Sequence, residues 1–224
     1  MNAPLSLLLA MLLAAPAKPA KTPASSLPAA PPTAASVLAK VRRAYTASPA
    51  TIVTFVQRYV PAGFTETGGA ETGKLTVQPP NLLRFDYDGP EGKVYTFDGT
   101  TARQYVAEDR QLIVKALTPE ERSRLPLLFL EDPASLLSRY DAALKPAEGG
   151  APGVVDLTLT PKREGETKEV LVTAGPDGDV KKLVVLDTAG NRTTFTFTTK
   201  SASKRRPASD FKLVPPKGTK TITG

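Results

Sequence analysis

From about residue 50 onward this chain is written in a period of two, and that alternation limits its fold more than any other feature. Leu83, Phe85 and Tyr87 alternate with Arg84, Asp86 and Asp88. Successive side chains of a strand point to opposite faces, so such a segment builds a sheet that is dry on one side and wet on the other. The pattern recurs. Phe55, Gln57 and Tyr59 alternate with Ile52, Thr54, Val56 and Arg58, Leu75 and Val77 share one side of residues 73–78, Val155, Leu157 and Leu159 alternate with Asp156, Thr158 and Thr160, and Phe195 and Phe197 stand between threonines. Turn-forming clusters separate these runs: Pro79-Pro80-Asn81, Gly89-Pro90-Glu91-Gly92, Asp98-Gly99, Pro176-Asp177-Gly178 and Ala189-Gly190-Asn191. Further strands are predicted at 93–98, 101–107, 111–117, 140–146, 168–174 and 180–187, with a last one at 211–214 before Pro215-Pro216. Consecutive hairpins make an antiparallel meander, and because twisted sheets do not stay flat it must close or curl.

Two stretches break the period. Ser36 is positioned to cap a helix through Val37, Leu38, Val41 and Tyr45, ended by Pro49. Residues 118–139 carry helix-start signals at Thr118-Pro119-Glu120-Glu121, then the apolar run Leu127, Leu128, Phe129 and Leu130, then a second start at Asp132-Pro133 ahead of Leu136 and Leu137. An apolar helical insert between two sets of strands needs something to cover, and the concave side of the sheet is the natural place. The period places Phe55, Leu75, Val77, Leu83, Phe85, Tyr87, Val155, Leu157, Phe195 and Phe197 on that side. Either they meet and fill a core or they leave an apolar cavity, and the pattern alone does not separate the two.

The 224 residues suit one all-β domain and contain no Cys, His or Trp. That removes disulfides, thiol chemistry, thiolate and imidazole metal ligands, and histidine acid–base catalysis. No spacing of Ser, Asp or Lys matches a nucleophile motif, so no catalytic residue, metal site or cofactor is expected. The net charge is +7. Its one cluster, Lys204-Arg205-Arg206, has no interleaved aromatics and reads as a solvated loop, not a nucleic-acid surface. The modest positive charge would help docking on an acidic partner or an anionic membrane.

At the N-terminus, residues 5–15 are an apolar stretch too short to span a bilayer, followed by Ala15-Pro16-Ala17, a small-residue cleavage pattern. This predicts a signal peptide at 1–17 and an exported protein, although the preceding Met-Asn-Ala-Pro lacks a basic residue. A buried terminal helix is the alternative. Residues 18–34, rich in Ala and Pro, read as a disordered linker, with the folded domain at 35–224.

Several short motifs occur in a fixed order: Phe55-x-Gln57, the glycine-led strand into Pro80-Asn81-Leu82-Leu83-Arg84-Phe85, Asp98-Gly99, Leu159-Thr160-Pro161-Lys162, Gly175-Pro176-Asp177-Gly178, Asp187-x-x-Gly190-Asn191, Phe195-x-Phe197 and Phe211-x-x-x-Pro215-Pro216-x-Gly218. Over residues 35–223 this ordered set resembles the periplasmic outer-membrane lipoprotein carrier family, LolA. The resemblance implies a mainly β, open antiparallel barrel, or half-barrel, with a helical lid at 118–139 over a hydrophobic cavity. The ten inward residues would line the cavity, and Leu127, Leu128, Phe129, Leu136 and Leu137 would line the lid. It implies acylated lipoproteins as cargo, an inner-membrane ABC-type release complex as donor, an outer-membrane lipoprotein receptor or membrane as acceptor, a monomeric state and a periplasmic location. The receptor of such a system is acylated on cysteine, and a chain with no Cys fits the soluble carrier. A lipid-sensing regulatory domain of similar half-barrel fold is the other reading. In one respect the chain departs from the pattern: where well-known carriers have an arginine that fastens the lid, it has Pro79. The implied consequence is a lid held mainly by apolar contacts, short of one donor to its backbone.

Overall fold

A polar or solvated turn between alternating runs favours pairing with the next run, and the computed structural model, which describes residues 31–65, 69–90, 92–118 and 130–223, follows that rule over nearly its whole length. Among those residues, helix α1 (Ala34–Thr46) precedes β1 (Ala50–Val60), β2 (Ala70–Gln78), β3 (Leu82–Tyr87), β4 (Val94–Phe97), β5 (Thr101–Val106) and β6 (Gln111–Ala116). A short helix α2 (Pro133–Arg139) leads into β7 (Tyr140–Pro146), β8 (Val155–Pro161), β9 (Thr167–Ala174), β10 (Val180–Asp187) and β11 (Arg192–Ser203), and a one-turn helix α3 (Ser209–Lys212) and β12 (Lys220–Thr223) follow. The strands form a single 12-stranded sheet in the order β12-β6-β5-β4-β3-β2-β1-β11-β10-β9-β8-β7. β1 and β11 pair antiparallel and join the two meanders. β7 and β12 lie at opposite ends of the order, so the sheet is open, as the family resemblance implies. The expected signal peptide at 1–17, most of the expected linker, and Leu127, Leu128 and Phe129 lie outside the described residues.

Three details differ from the sequence reading. The cap of α1 is Thr33, not Ser36. Thr33 Oγ1 accepts from the Ser36 N–H at 3.2 Å while Ser36 Oγ accepts from the Thr33 N–H at 3.0 Å, a reciprocal capping box that starts the helix at Ala34, inside the expected linker. Residues 211–214 are not a strand. Ser209–Lys212 is helical, with Phe211 fully buried and Leu213 left-handed at φ 46°. The reason is charge: Arg84 Nη1 donates to the Asp210 carbonyl at 2.5 Å and Arg206 Nε to the Asp210 carboxylate at 2.8 Å, which ties down one turn of backbone. The last strand is instead β12, and it runs parallel to β6.

Helix α1 closes one end of the curled sheet. Its apolar stripe, Val37, Leu38, Val41 and Tyr45, is buried in one core with Val53, Leu75, Val77, Leu157, Leu159, Val170 and Val172. Buried polar groups on the way are matched. Thr51 Oγ1 donates to the Tyr45 carbonyl at 3.1 Å, and Tyr45 Oη accepts from the Val180 N–H at 3.3 Å. Burial pushes the Tyr45 hydroxyl well above the ordinary range, so it stays neutral there. The β9–β10 turn comes so close to the helix that a Cβ on Gly178, at φ +90°, would stand 2.4 Å from the Lys40 carbonyl oxygen. On the convex side residues 205–212 form a strap. The Gln78 side chain exchanges two hydrogen bonds with the Arg206 backbone, at 2.8 and 3.1 Å, and Arg205 Nη2 donates to the Pro79 carbonyl at 3.1 Å. Lys204 and Arg205 of the basic cluster remain exposed on this loop, while Arg206 is partly buried.

Gly178→Ala is expected to unseat α1, since it adds both a clash and a left-handed penalty. It should lower stability by roughly 1–3 kcal/mol, read as a lower urea midpoint at unchanged slope. A second expectation concerns pH. Burial disfavours the Asp98 carboxylate, but Arg103 and the N–H groups of Thr101 and Thr100 outweigh it and hold its pKa below the ordinary 3.8. The stability owed to Asp98 is therefore present above pH 3.8 and is lost as pH falls through the folded value. The gap in urea midpoint between wild type and Asp98→Asn should narrow as the pH is lowered past that point.

Candidate functional site

Register decides what meets on the concave face. Phe55 of β1 pairs with Phe197 of β11 and with Gly73 of β2, and Gly73 in turn pairs with Tyr87 of β3. Gly73 is needed in this row. A Cβ there would lie 2.7 Å from the tip of the Phe55 ring and 2.3 Å from the Asp86 carbonyl, so the ring lies across bare backbone. From that position Phe55 meets Phe85, Tyr87 and Phe195 edge-on, with centroids 5.7, 5.1 and 5.7 Å away. Phe195 stacks on Phe197 at 6.2 Å, and Tyr87 contacts Tyr95 at 5.6 Å. The result is a continuous aromatic strip from β11 across to β4, each contact worth about 0.5–1.5 kcal/mol beyond the area it buries.

All ten residues placed on this side by the period of two do lie in or against the core. Their burial divides them into two sets. Phe55, Leu75, Val77, Leu83, Val155, Leu157 and Phe197 are buried and fill the core, whereas Phe85, Tyr87 and Phe195 are only half-buried. Tyr95 and Leu183, which the sequence reading passed over, join the half-buried set. Tyr59, predicted to share the Phe55 face, is 47% exposed, because β2 stops opposite Arg58 and only β11 flanks β1 there. The face also changes character along β1 and β2. Beyond Phe55 and Gly73 come Gln57 and Glu71, which pair with each other, and Gln57 Oε1 accepts from the Tyr87 hydroxyl. Burial holds the Tyr87 hydroxyl in its neutral, donating form. Glu71 stands two residues before Gly73, on the side of Leu75 and Val77, so the period itself could have disclosed this polar end.

Of the lid, Leu136 and Leu137 are described. Leu136 is buried in the core beside α1, and Leu137 is partly buried against it. Asp132 caps α2, accepting from the N–H groups of Ala134 and Ser135 at 3.0 and 3.3 Å. The segment is not short of donors. Arg42 of α1 donates from Nε to the Leu130 carbonyl at 3.3 Å and lies 3.9 Å from the Asp132 carboxylate, and Lys162 Nζ donates to the Leu137 carbonyl at 3.0 Å. Cations thus add to the apolar hold of Leu130, Leu136 and Leu137 on the chain just ahead of α2 and on α2 itself. Pro79 takes part differently, offering its carbonyl to Arg205 on the convex side.

The fold and this face together define a class: mainly β proteins built on one open antiparallel sheet with an apolar, partly exposed face. The sequence profile described as Outer membrane lipoprotein carrier protein LolA matches residues 48–214, and the chain belongs to that family. Among its relatives, the outer-membrane lipoprotein carrier protein of Pseudomonas fluorescens is 31% identical over 152 residues, covering 67% of this chain and 71% of the relative. That of Xanthomonas oryzae is 30% identical over 157 residues, with the same shares of 67% and 71%. The crystal structure of an uncharacterized conserved protein from Thermus thermophilus is similar in fold, with a TM-score of 0.53 at 13% identity over 84% of this chain and 97% of that one.

Replacing Arg42 by Ala removes a charge-assisted hydrogen bond, worth about 1.5–3 kcal/mol. Amide exchange in residues 131–139 should accelerate at least several-fold, while exchange in β1 and β2 stays as in the wild type.

Proposed function

We infer that this protein shields the acyl chains of lipoproteins in the periplasm and carries them from the inner to the outer membrane. The observation that carries this reading is the half-buried set on the concave face: Phe85, Tyr87, Phe195, Tyr95 and Leu183 form apolar surface continuous with a well-packed core. A protein with no ligand to shelter gains by covering such residues, at about 25 cal/mol per Å². An acyl chain laid on the strip would complete that burial. Membership of the lipoprotein carrier family points to the same cargo. Transfer of this kind needs shelter and release but no bond-making chemistry, in keeping with a sequence free of Cys and His. Donor and acceptor would be an inner-membrane lipoprotein-release complex of the ABC type and an outer-membrane receptor or the membrane itself. Among the described residues no helix is long and apolar enough to cross a membrane.

Substitution at the half-buried positions tests the reading, because they tolerate change where the buried positions do not. Phe195→Glu places an unpaired charge in the acyl site. It should weaken binding of a fluorescent fatty-acyl probe by at least about tenfold while leaving the circular dichroism spectrum native. Leu75→Glu, at a fully buried position, should unfold the domain instead. Undiminished probe binding by folded Phe195→Glu would show that this face is not the acyl site.

A further inference from the structure

The convex strap carries charge that the fold does not use. Residues 204–217 hold five cations, Lys204, Arg205, Arg206, Lys212 and Lys217, against one acid, Asp210, a net +4 out of the +7 of the whole chain. Arg206 is engaged. Arg84 lies 2.7 Å from the Asp86 carboxylate, and Arg206 lies 3.7 Å from Asp86 and 2.8 Å from Asp210, so two cations answer two acids. Lys204, Arg205, Lys212 and Lys217 are exposed, and among the described residues none of the four enters an ion pair. Arg205 spends one donor on the Pro79 carbonyl and keeps its charge. The same segment exposes apolar surface. Val214, between Lys212 and Lys217, is 86% exposed and is followed by Pro215-Pro216. This stretch is pinned at both ends. Phe211 is fully buried ahead of it. Behind it Thr219 Oγ1 donates to the Pro216 carbonyl at 2.9 Å, and the Lys220 N–H to the Arg110 carbonyl at 2.8 Å. The valine is thus held out into water by a fixed turn of chain.

Charge and apolar tip together select the occupant. Lysine is a compact point charge that suits a field of phosphates. Carboxylates of an acidic protein surface would satisfy the charges but not the exposed valine. An anionic bilayer uses both, since cations are drawn to its phosphates while a small apolar tip enters the boundary between head groups and acyl chains. We propose that the strap docks the protein on an anionic phospholipid surface, with Lys204, Arg205, Lys212 and Lys217 against the phosphates and Val214 as the inserted tip. The strap lies on the face opposite the aromatic strip, because Gln78 and Arg84, which hold it, alternate with Val77 and Phe85. Docking there leaves the strip uncovered and does not depend on what the strip carries.

Co-sedimentation of the full chain with vesicles tests this, comparing phosphatidylcholine alone with phosphatidylcholine containing about one third phosphatidylglycerol. The apolar stretch at 5–15 is common to every variant, so differences between variants report on the strap. Each cation near such a surface is worth about fivefold in affinity. Lys212→Glu combined with Lys217→Glu reverses both charges and should lower binding to the anionic vesicles by at least about a hundredfold, with little change on the neutral ones. Val214→Ser, which keeps every charge, should lower anionic binding several-fold. Lys168→Glu combined with Arg192→Glu makes the same charge change at exposed positions outside the strap and should leave most of the binding in place. All three variants should keep the native circular dichroism spectrum. Equal binding of the wild type to both vesicles, or unchanged binding by the folded Lys212→Glu, Lys217→Glu variant, overturns the assignment. So does an equal loss in the Lys168→Glu, Arg192→Glu variant, which would make net charge and not the strap the attraction. Anionic binding that Val214→Ser leaves intact and a polyglutamate peptide competes away would give the strap to an acidic protein surface instead. None of these outcomes touches the carrier reading, which rests on the other face.

Discussion

The concave side depends on the crossing of Phe55 over Gly73. A bare backbone position in mid-strand is ordinarily a weakness, costing conformational entropy and leaving no side chain to pack. Here it lets one ring drop to the level of the sheet and touch three others, two from β3 and one from β11. That contact couples β11, β1, β2 and β3 across the seam where the two meanders meet, and it sets the height of the aromatic strip. Phe85 and Phe195 also meet each other directly, with centroids 5.9 Å apart, so Phe55 closes a three-ring cluster across the seam.

An open sheet keeps two edges, and each is handled differently. On one side the short, exposed β12 pairs parallel with β6 and covers its backbone. On the other, β7 presents Asp141, Lys145 and Pro146, residues that discourage a further strand from adding. On the convex side the strap performs a related task. Gln78, Thr76 and Thr96 are buried there, and the hydrogen bonds from residues 205–206 and Asp210 hold the cover in place.

Much of this was legible in the sequence, and the reasons are physical. A strict period of two with one buried face fixes which side each residue takes, since a slip of one residue would turn every apolar group outward. Hence the ten inward residues, and hence the hairpins at Asp98-Gly99 and Pro176-Asp177-Gly178. The period does not say how deep a residue sits. Phe55 and Phe85 are alike in pattern, yet one is core and the other half-open, and the difference comes from Gly73 and from α1, which covers one end of the face only. Phe211 misled because four residues are too few to separate a strand from a turn of helix. Arg84, 126 residues away from Asp210, made the choice together with the nearby Arg206. The same holds for Arg42 and Lys162, whose hold on the chain around α2 follows from tertiary placement and leaves no local sequence signal.

The half-burial of the strip also bears on release. Covering an acyl chain is worth about 0.8 kcal/mol per CH₂, so about fifteen methylenes fully enclosed would hold with roughly 12 kcal/mol, a nanomolar grip. Several chains enclosed in that way would scarcely leave on a useful timescale. A shelf of half-exposed rings on an unclosed sheet recovers only a fraction of that energy. The rings also cost little to uncover again, because Phe85, Tyr87 and Phe195 remain packed on Phe55 when the ligand has gone. On the proposed carrier function, their partial burial in the empty protein and a partial grip on a chain would be one property: an interior packed tightly enough to fold without cargo is too full to hold cargo beyond recovery.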